Sequence, residues 1–427
     1  MPRRSLCLTL VAATAASLAW GGPPSLPPPA SREARRALAA ELDAYLWKHV
    51  LAPRFPRCVD EEHGGFHVRY ARDWSPLEDR SRFIVYEARV TWTTATVARL
   101  RPEARGEYIG YARHGVRYLA DVMWDRAHGG FHTSVDPAGQ PTAGEEADAR
   151  PVYGQAFAVY ALAAAHAATG DAEPLELARR GWRWIEERYR DGLGPGYRSA
   201  VGDVSIDGPG THRTMNDHIH LLEAYAELLR SWPDPELRQR TEELLAFVRD
   251  RLFVEPGCLY IALRPDGRVV PAPVSFGHDV ETAFLMIEAE EALGRGPSVA
   301  TLRAARMLVD HALDRGWDPV RGQLFEYGSA YGPPVDRSVQ WWAQFEAFHA
   351  FQLMDDRFGR EDTRYEAAFA KAWALARDAF ADPQHPGVCP QMDERGGVDC
   401  ESKSHNWFVS YHTARALLFT ADRLRKP

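Results

Sequence analysis

The chain has 427 residues, of which 45% are hydrophobic and 26% are charged, and its formal net charge is −8. This composition is that of a soluble globular protein. Because no run of Lys and Arg forms a basic stripe, the sequence argues against nucleic-acid binding.

The N-terminus has the pattern of a secretory signal peptide, which we predict over residues 1–22. Arg3 and Arg4 precede an apolar run that extends from Leu6 to Ala19 and ends in small residues, as in cleaved export signals. The alternative is a membrane anchor, but the run is shorter than the ~20 residues that a spanning helix needs. We therefore predict a secreted or periplasmic protein with no membrane segment after cleavage.

A Pro-rich stretch follows the predicted signal. Repeated proline continues neither a helix nor a strand, so residues 23–33 are predicted to form an exposed, extended linker. Residues 34–427 are predicted to form a single domain.

A repeat of about 65 residues organises this domain. Glycine-rich, strand-like segments recur at intervals of 63 to 65 residues, and HGGFH occurs in both of the first two. The six segments contain Gly64, Gly129, Gly194, Gly257, Gly322 and Gly387. A fixed period of this length is typical of repeat architectures.

Each interval has room for two helices and one β-hairpin. Segments such as YGQAFAVYALAAAHAATG and DHIHLLEAYAELLRSW place apolar residues at i, i+3, i+4 and i+7, which is the helical period. Six pairs of helices predict an all-α fold, the (α/α)6 barrel, in which a closed ring of about twelve helices carries short β-hairpins on its loop face. The alternative is an open α-solenoid, but closure leaves no exposed repeat ends.

Four cysteines remain after the predicted signal: Cys58, Cys258, Cys389 and Cys400. An exported protein can form disulfides. Cys389 and Cys400 flank the turn-rich stretch CPQMDERGGVDC and are the favoured pair, with four free buried thiols as the alternative. No CxxC motif or Cys/His cluster indicates a zinc site.

Four polar stretches stand at or just before the starts of helical patterns in different repeats. They are TMNDHIH, with Asn216, His218 and His220; SFGHDVE, with His278 and Glu281; NWFVSYHT, with Trp407 and His412 opening the last inner helix; and RFIVYEARV, with Arg89. Any one of these histidines is as often structural as functional. Because equivalent ends of the inner helices of a ring point to the same cavity, we predict that these residues converge there.

The pair His218 and His220 raises the question of a metal chelate. Residues i and i+2 share a face on a strand, but at the start of a helix they point about 200° apart. We therefore predict that only one of the two faces the cavity, and that the protein has no metal site.

Five stretches carry a resemblance to a known family: VYGQAFAVYALAAAHAATGD, TMNDHIHLLEAY, FGHDVETAFL, QWWAQFEAF and NWFVSYHTARA. The resemblance covers roughly residues 60 to 420, and the order and spacing of the stretches are specific although each alone is a weak signal. With these stretches the chain resembles the N-acylglucosamine 2-epimerase superfamily and, within it, the cellobiose 2-epimerases. The resemblance implies the (α/α)6 barrel and a carbohydrate epimerase that acts on a small-molecule sugar without cofactor or metal.

The resemblance also implies a role for each matching residue. His278 and His412 match the two general acid/base groups, and His220 matches a histidine that binds sugar oxygens and helps to open the ring. Arg89 matches an arginine that polarises the carbonyl and the developing enediolate. The remaining matches are sugar contacts: Asn216, Glu281, Trp342, Trp407 and, with a weaker match, Tyr153. The family generally has Asn after the last histidine, where this chain has Thr413, and this departure leaves the substrate open.

The implied chemistry suits imidazole groups. The C2 hydrogen of an open-chain aldose is acidic because the carbanion is delocalised as an enediolate, and a base that titrates near neutral pH can remove it. Returning the proton to the opposite face gives the 2-epimer, whereas returning it to C1 gives a ketose.

Three alternatives to the epimerase remain open. They are an aldose–ketose isomerase of the mannose isomerase type, a glycoside hydrolase on the same barrel, and a non-catalytic sugar-binding protein. The sequence leaves the substrate and the oligomeric state open.

Overall fold

The computed structural model describes residues 31–78, 81–142, 150–200 and 209–426. The predicted signal peptide and most of the predicted linker lie outside these residues. The first helix begins at Arg32, with the Ser31 side chain accepting a hydrogen bond from the Ala34 N–H, so the predicted linker boundary at residue 33 is two residues too late. Twelve α-helices are described: α1 Arg32–Tyr45, α2 Ile84–Leu100, α3 Arg105–Tyr118, α4 Val152–Thr169, α5 Ala172–Tyr189, α6 Met215–Ser231, α7 Pro235–Phe247, α8 Phe276–Ala292, α9 Val299–His311, α10 Trp341–Phe358, α11 Arg364–Asp378 and α12 Tyr411–Arg425.

The even-numbered helices contact one another in a cyclic order. Helix α2 packs on α4, α4 on α6, α6 on α8, α8 on α10, α10 on α12, and α12 packs on α2 again. Each odd-numbered helix packs outside this cycle: α3, α5, α7, α9 and α11 each contact the even-numbered helix that precedes them, and α1 contacts α12. The even-numbered helices are therefore the inner ones.

Burial explains the sequence difference between inner and outer helices. Inner helix α4 buries fourteen of its eighteen residues, whereas outer helix α5 buries eight of eighteen. A helix enclosed on all sides needs apolar residues around its whole circumference, while an outer helix needs them on one face. This accounts for the Ala-rich and Leu-rich character of the inner segments.

Short strands connect most outer helices to the next inner helix. Hairpin strands or single bridges close over Gly64, Gly129, Gly257, Gly322 and Gly387, all of which have positive φ. Residues around Gly194 carry no strand or bridge in the described part of the chain, but the Arg198 N–H donates to the Tyr189 carbonyl at 3.0 Å, as the corresponding backbone groups do across the other five glycines. The described strands are β1 Tyr70–Ala71, β2 Arg82–Phe83, β3 Ser134–Val135, β4 Arg213–Thr214, β5 Phe253–Val254, β6 Cys258–Leu259, β7 Ala262–Leu263, β8 Val269–Val270, β9 Val274–Ser275, β10 Trp317–Asp318, β11 Gln323–Leu324, β12 Tyr327–Gly328, β13 Val339–Gln340, β14 Gln391–Met392, β15 Val398–Asp399 and β16 Ser402–Ser404.

The fourth residue of each of the first five inner helices ties the preceding loop to the helix. In α8 this residue is Asp279, whose carboxylate accepts a hydrogen bond of 3.0 Å from the Leu259 N–H. The equivalent acceptors are Glu87, Gln155, His218 and Gln344, bound by the backbone N–H groups of Phe66, Phe131, Tyr197 and Leu324. A buried polar side chain that recurs at one repeat position and holds a backbone donor is a structural group.

The favoured cysteine pair is confirmed. Cys389 and Cys400 form a disulfide that closes the last hairpin, while Cys58 and Cys258 are free and buried. None of the helices in the described part of the chain combines the length and apolar character needed to cross a membrane.

Candidate active site

The sixth residue of each of the first five inner helices contributes to one polar centre on the loop face. These residues are Arg89 of α2, Phe157 of α4, His220 of α6, Glu281 of α8 and Glu346 of α10. Each lies two residues after the fourth helix residue, which binds the preceding loop. Two residues are just over half a helical turn, so the two side chains point to different sides of the helix. A cavity of about 590 Å³ is lined by three of them, Arg89, His220 and Glu281.

All nine residues predicted for the site line this cavity. They are Arg89, Tyr153, Asn216, His220, His278, Glu281, Trp342, Trp407 and His412. Trp407 lies in the loop before α12, which begins at Tyr411, so the prediction that it opens the last helix is wrong. Trp407 is 51% exposed, and its indole packs against Phe83 at the rim.

The two histidines of the HxH stretch diverge as predicted. The His218 Nδ1–H donates to the Thr214 carbonyl at 2.6 Å, and its Nε2 accepts from the Tyr197 N–H at 2.9 Å. Burial lowers the pKa of His218 to about 4, so it is a neutral structural group. His220 instead lies at the cavity, where its Nδ1 donates to Glu223 at 2.9 Å and leaves Nε2 for the cavity.

His278 is held by one hydrogen bond and one ring contact. Its Nδ1 lies 2.7 Å from the Ser275 hydroxyl, and the Trp342 indole stands with its centroid 4.7 Å from the imidazole. Burial lowers the pKa of His278 to about 4, and this outweighs the opposing effect of Glu281. An imidazole that is neutral at pH 7, with Nε2 left for the cavity, has the form that a general base requires.

His412 packs on the same indole from another helix. Its centroid lies 5.4 Å from that of Trp342, and its Nδ1 lies 2.7 Å from a carboxylate oxygen of Glu346. Burial lowers the pKa of His412, and Arg89 and Arg415 lower it further. The two imidazoles therefore flank one tryptophan, and each has its Nδ1 engaged.

Arg415 joins the carboxylates beneath the cavity and was missed in the sequence. Its guanidinium is fully buried and hydrogen-bonds to Glu223, Glu281 and Glu346. The Tyr411 hydroxyl donates to Glu223 at 2.5 Å. The cluster thus fixes the carboxylates that orient His220 and His412.

Charge balance in this cluster favours retention of one further proton. Three carboxylates share the single guanidinium of Arg415. Burial would raise the pKa of Glu223, but Arg415 and the hydrogen bond from His220 outweigh it and lower that pKa to about 2. For Glu346, burial and the neighbouring Glu281 prevail over Arg415 and raise the pKa. The contact between Glu346 and His412 is therefore the place in the cluster where a further proton is most easily held.

Arg89 faces the cavity without a carboxylate at ion-pair distance in the described part of the chain. One of its Nη groups donates to the Tyr153 hydroxyl at 2.8 Å, and the guanidinium lies 4.5 Å from the centroid of the Phe157 ring. Burial raises the pKa of Tyr153 to about 12, so the phenol stays protonated and does not act as a counter-ion to the arginine. A guanidinium held this way suits a developing oxyanion.

Glu281, Glu346 and His412 lie close enough together to hold a metal ion. The guanidinium of Arg415 already occupies the place of a cation, because it hydrogen-bonds to both Glu281 and Glu346. A metal would have to compete with a fixed positive charge, so the donor set does not fit one.

A second cavity, of about 790 Å³, adjoins the first. The two share Tyr153, Asn216, His278, Tyr327 and Trp407. The walls of the second cavity are mostly apolar, with side chains such as Ile84, Met215 and Ile261. The combined space exceeds that of a single sugar ring.

The repeat carried a signal for the missed residues. Aligning the inner helices at their starts puts Glu346 of α10 at the same position as His220 and Glu281, so its place in the centre could be predicted. Arg415 could not be found in this way, because it is the fifth residue of α12, not the sixth.

The chain is similar over most of its length to known sugar epimerases and isomerases. The sequence model of the family described as N-acylglucosamine 2-epimerase (GlcNAc 2-epimerase) matches residues 64–416. The chain is 27% identical over 389 residues to a cellobiose 2-epimerase of Bacteroides fragilis, covering 88% of this chain and 97% of that protein. It is 29% identical over 346 residues to a D-mannose isomerase of Thermobifida fusca, covering 76% of this chain and 82% of that protein. The solved structure of the cellobiose 2-epimerase from Spirochaeta thermophila matches with a TM-score of 0.81 at 30% identity, covering 93% of this chain and 99% of that chain.

Proposed function

Because the chain belongs to the N-acylglucosamine 2-epimerase family, we propose that it is a sugar 2-epimerase that interconverts the C2 epimers of a reducing mono- or oligosaccharide. The single observation that carries this proposal is the convergence of His220, His278, His412 and Arg89 on one cavity. The cyclic contacts of the inner helices support assignment of the fold as an (α/α)6 barrel.

His278 is the proposed base for the C2 proton in one direction. Its low pKa keeps it unprotonated at neutral pH, and Nε2 is the nitrogen left to accept the proton. His412 then returns a proton to the opposite face, supported by the proton that it shares with Glu346. The reverse epimerisation exchanges these two roles.

Arg89 and His220 are proposed to act on the sugar oxygens. Opening the ring and forming the enediolate both place negative charge on oxygen, and a fixed guanidinium in a sheltered cavity stabilises such charge by several kcal/mol in comparable oxyanion sites. His220, whose Nδ1 is bound by Glu223, offers Nε2 to the same atoms. Asn216, Glu281, Tyr153, Trp342 and Trp407 are the proposed sugar contacts.

Solvent exchange at C2 tests the proposal directly. The purified protein is incubated with mono- and disaccharides in deuterated buffer, and C1 and C2 of each sugar are followed by NMR. A 2-epimer that carries deuterium at C2 is the expected product. If every sugar in the panel kept its C2 hydrogen, the proposed function would be wrong.

An aldose–ketose isomerase is the second candidate, and the similarity to a D-mannose isomerase favours it. The same experiment separates the two, because a ketose carries the transferred hydrogen at C1. A glycoside hydrolase needs a pair of carboxylates across the scissile bond. Here Glu281 and Glu346 are held by Arg415, and hydrolysis would show as a change in product mass. A non-catalytic sugar-binding protein would bind without turnover.

The reaction is expected to be independent of metal ions. Since Arg415 supplies the cation beside Glu281 and Glu346, dialysis against EDTA should leave the rate of epimerisation unchanged. The measurement is initial rate before and after EDTA, with added Zn²⁺ and Mn²⁺ as controls. A large loss of rate that either ion restores would contradict this expectation.

We also propose that the protein is exported. The signal-like N-terminus supports export, and so does the disulfide between Cys389 and Cys400, which is stable in oxidising compartments.

A further inference from the structure

The last hairpin carries a covalent cross-link to which the proposed reaction gives no role. Cys389 precedes β14 and Cys400 follows β15, so their disulfide closes the open end of this hairpin. Both cysteines are buried. Residues 389–402, which contain the two strands and the disulfide, form the rim hairpin.

The rim hairpin is part of the wall of the candidate active site. Five of its residues line the same cavity as His278 and His412: Pro390, Gln391, Asp399, Glu401 and Ser402. The first two directly follow one cysteine, and the next two stand on either side of the other. The disulfide therefore joins two parts of the cavity wall that are separate along the chain.

The rim hairpin also contacts the start of α10. The Trp341 N–H donates to the Pro390 carbonyl at 3.0 Å, and β13 pairs with β14 just before this helix. The next residue of α10 is Trp342, whose indole packs on His278 and His412. A displacement of the hairpin would therefore alter the space in which the sugar binds.

A buried arginine holds each of the first two glycine hairpins at two points. Arg150 donates to the Gly129 carbonyl at 2.9 Å and to the Asp125 carboxylate at 2.6 Å. Arg82 makes the equivalent pair of hydrogen bonds in the first repeat. The planar fork of an arginine allows both bonds at once.

The last repeat has a lysine and the disulfide instead of this arginine. Asp382 is equivalent to Asp125, because the N–H of each donates to the carbonyl of a hairpin glycine. Its carboxylate accepts from the Lys403 Nζ at 2.7 Å, and this ammonium lies 3.3 Å from the Cys400 Sγ. Since lysine has no fork, the covalent bond takes the place of the second point of attachment.

We propose that the disulfide between Cys389 and Cys400 positions the rim hairpin for sugar binding, so that the affinity for the sugar depends on the thiol–disulfide state of this pair. This inference rests on the proposed epimerase function. Without the cross-link the hairpin samples further conformations, and binding has to select the ordered one. If about a tenth of the molecules are ordered, the apparent affinity falls about ten-fold.

The proposed proton-transfer groups do not depend on the cross-link. His278 and His412 have their Nδ1 atoms engaged by Ser275 and Glu346, both of which lie outside the rim hairpin. Reduction by a dithiol breaks the S–S bond and gives each sulfur one electron and one proton, while the dithiol closes to its own disulfide. The expected consequence is a higher KM at a nearly unchanged kcat.

The Cys389→Ser/Cys400→Ser variant removes the cross-link and nearly keeps the size of both side chains. Its KM for a sugar that the wild type epimerises should rise about ten-fold, with kcat within about two-fold of wild type. A merely structural disulfide would instead lower the fraction of active molecules, and so reduce kcat at an unchanged KM. The measurements are initial rate against sugar concentration and the thermal unfolding midpoint. The matched control is Glu394→Gln, at an exposed residue of the same hairpin outside the cavity, which should change neither constant.

Reduction of the wild type tests the same link without a substitution, and it applies even if the variant fails to fold. The folded protein is treated with dithiothreitol until two additional thiols are titrated, one for each sulfur of the disulfide. KM should rise as in the variant and return when the protein is reoxidised. The variant, which keeps the free thiols of Cys58 and Cys258, should not respond to dithiothreitol.

Two failures are distinguishable. If the oxidised wild-type protein exchanges no C2 hydrogen in any sugar, the proposed function fails. If it is an active epimerase but keeps its KM after the cross-link is removed or reduced, the positioning role is overturned while the function stands. A fall in kcat at an unchanged KM would overturn that role as well.

Discussion

Replacing His278 or His412 by Ala is expected to abolish epimerisation while the protein stays folded. Each imidazole presents Nε2 to the cavity and has its Nδ1 engaged, by Ser275 for His278 and by Glu346 for His412. Removing a general base or acid costs about 10²–10⁴-fold in rate. The measurement is initial epimerisation rate, with the thermal unfolding midpoint as the check on folding. His63→Ala, at an exposed hairpin histidine, is the matched control and should retain activity.

The isotope behaviour of the two variants should differ. If each histidine serves one face of the sugar, one variant still exchanges the C2 hydrogen of one epimer with solvent without inverting it, and the other variant does so for the opposite epimer. The assay is deuterium incorporation at C2 from each epimer separately. Near-native turnover in both variants would show that the bases are wrongly assigned, and Glu281 and Glu223 would be the next candidates.

The pH dependence of the wild type follows from the same group. Since the pKa of His278 is lowered from its ordinary value of 6.5 to about 4, the base stays unprotonated down to the lower value, and the acidic limb of kcat/KM should lie well below pH 6.5. Like the activity, the free energy of unfolding is expected to fall as the pH drops and His278 is forced to protonate. The unfolded chain binds a proton on this residue between pH 6.5 and 4 while the folded chain does not, so the contribution of this residue to stability is complete above pH 6.5 and is lost as the pH falls towards 4.

The period in the sequence predicted more of the fold than any single segment did. The spacing of the hairpin glycines gave the count of twelve helices because each repeat must fit one inner helix, one outer helix and one connection. The third repeat lacks the short strands but keeps the closing hydrogen bond from the Arg198 N–H to the Tyr189 carbonyl. The close approach of Gly194 to the Pro265 carbonyl could not be predicted, because it joins residues far apart in the chain. The start of α1 was predicted too late because the linker was extended past the last proline, although Ser31 is a typical N-cap residue.

The site residues that could be predicted from the sequence are those near the start of an inner helix. His220, His278 and Arg89 occupy such positions, and the ring brings those positions together. Glu346 and Arg415 were missed because their roles depend on side-chain pairing between helices, and Arg415 meets Glu346 across 69 positions of sequence.

Replacing Arg415 by Met is expected to destabilise the protein by about 3–5 kcal/mol, the usual cost of removing one partner from a buried ion pair. The substitution leaves Glu223, Glu281 and Glu346 buried without their shared guanidinium, whereas the methionine fills much of the space. Arg415→Lys keeps the charge but lacks the fork that reaches several carboxylates, so it should lie between wild type and Arg415→Met. The measurement is the free energy of unfolding in urea at pH 7. Arg268→Met, at an exposed arginine paired with Asp266, is the control and should change stability by less than about 0.5 kcal/mol.

The loss caused by Arg415→Met should shrink in acid. The pKa of Glu223 is lowered to about 2 in the folded protein, below its ordinary 4.5, so its stabilising effect is complete above pH 4.5 and is lost as the pH falls towards 2. Without Arg415 the carboxylates protonate at higher pH and the unfavourable charge disappears. The difference in unfolding free energy between wild type and variant should therefore be largest near pH 7 and fall below pH 4.5. An Arg415→Met protein as stable as wild type at pH 7, or a difference that stays constant down to pH 3, would show that the guanidinium does not balance these carboxylates.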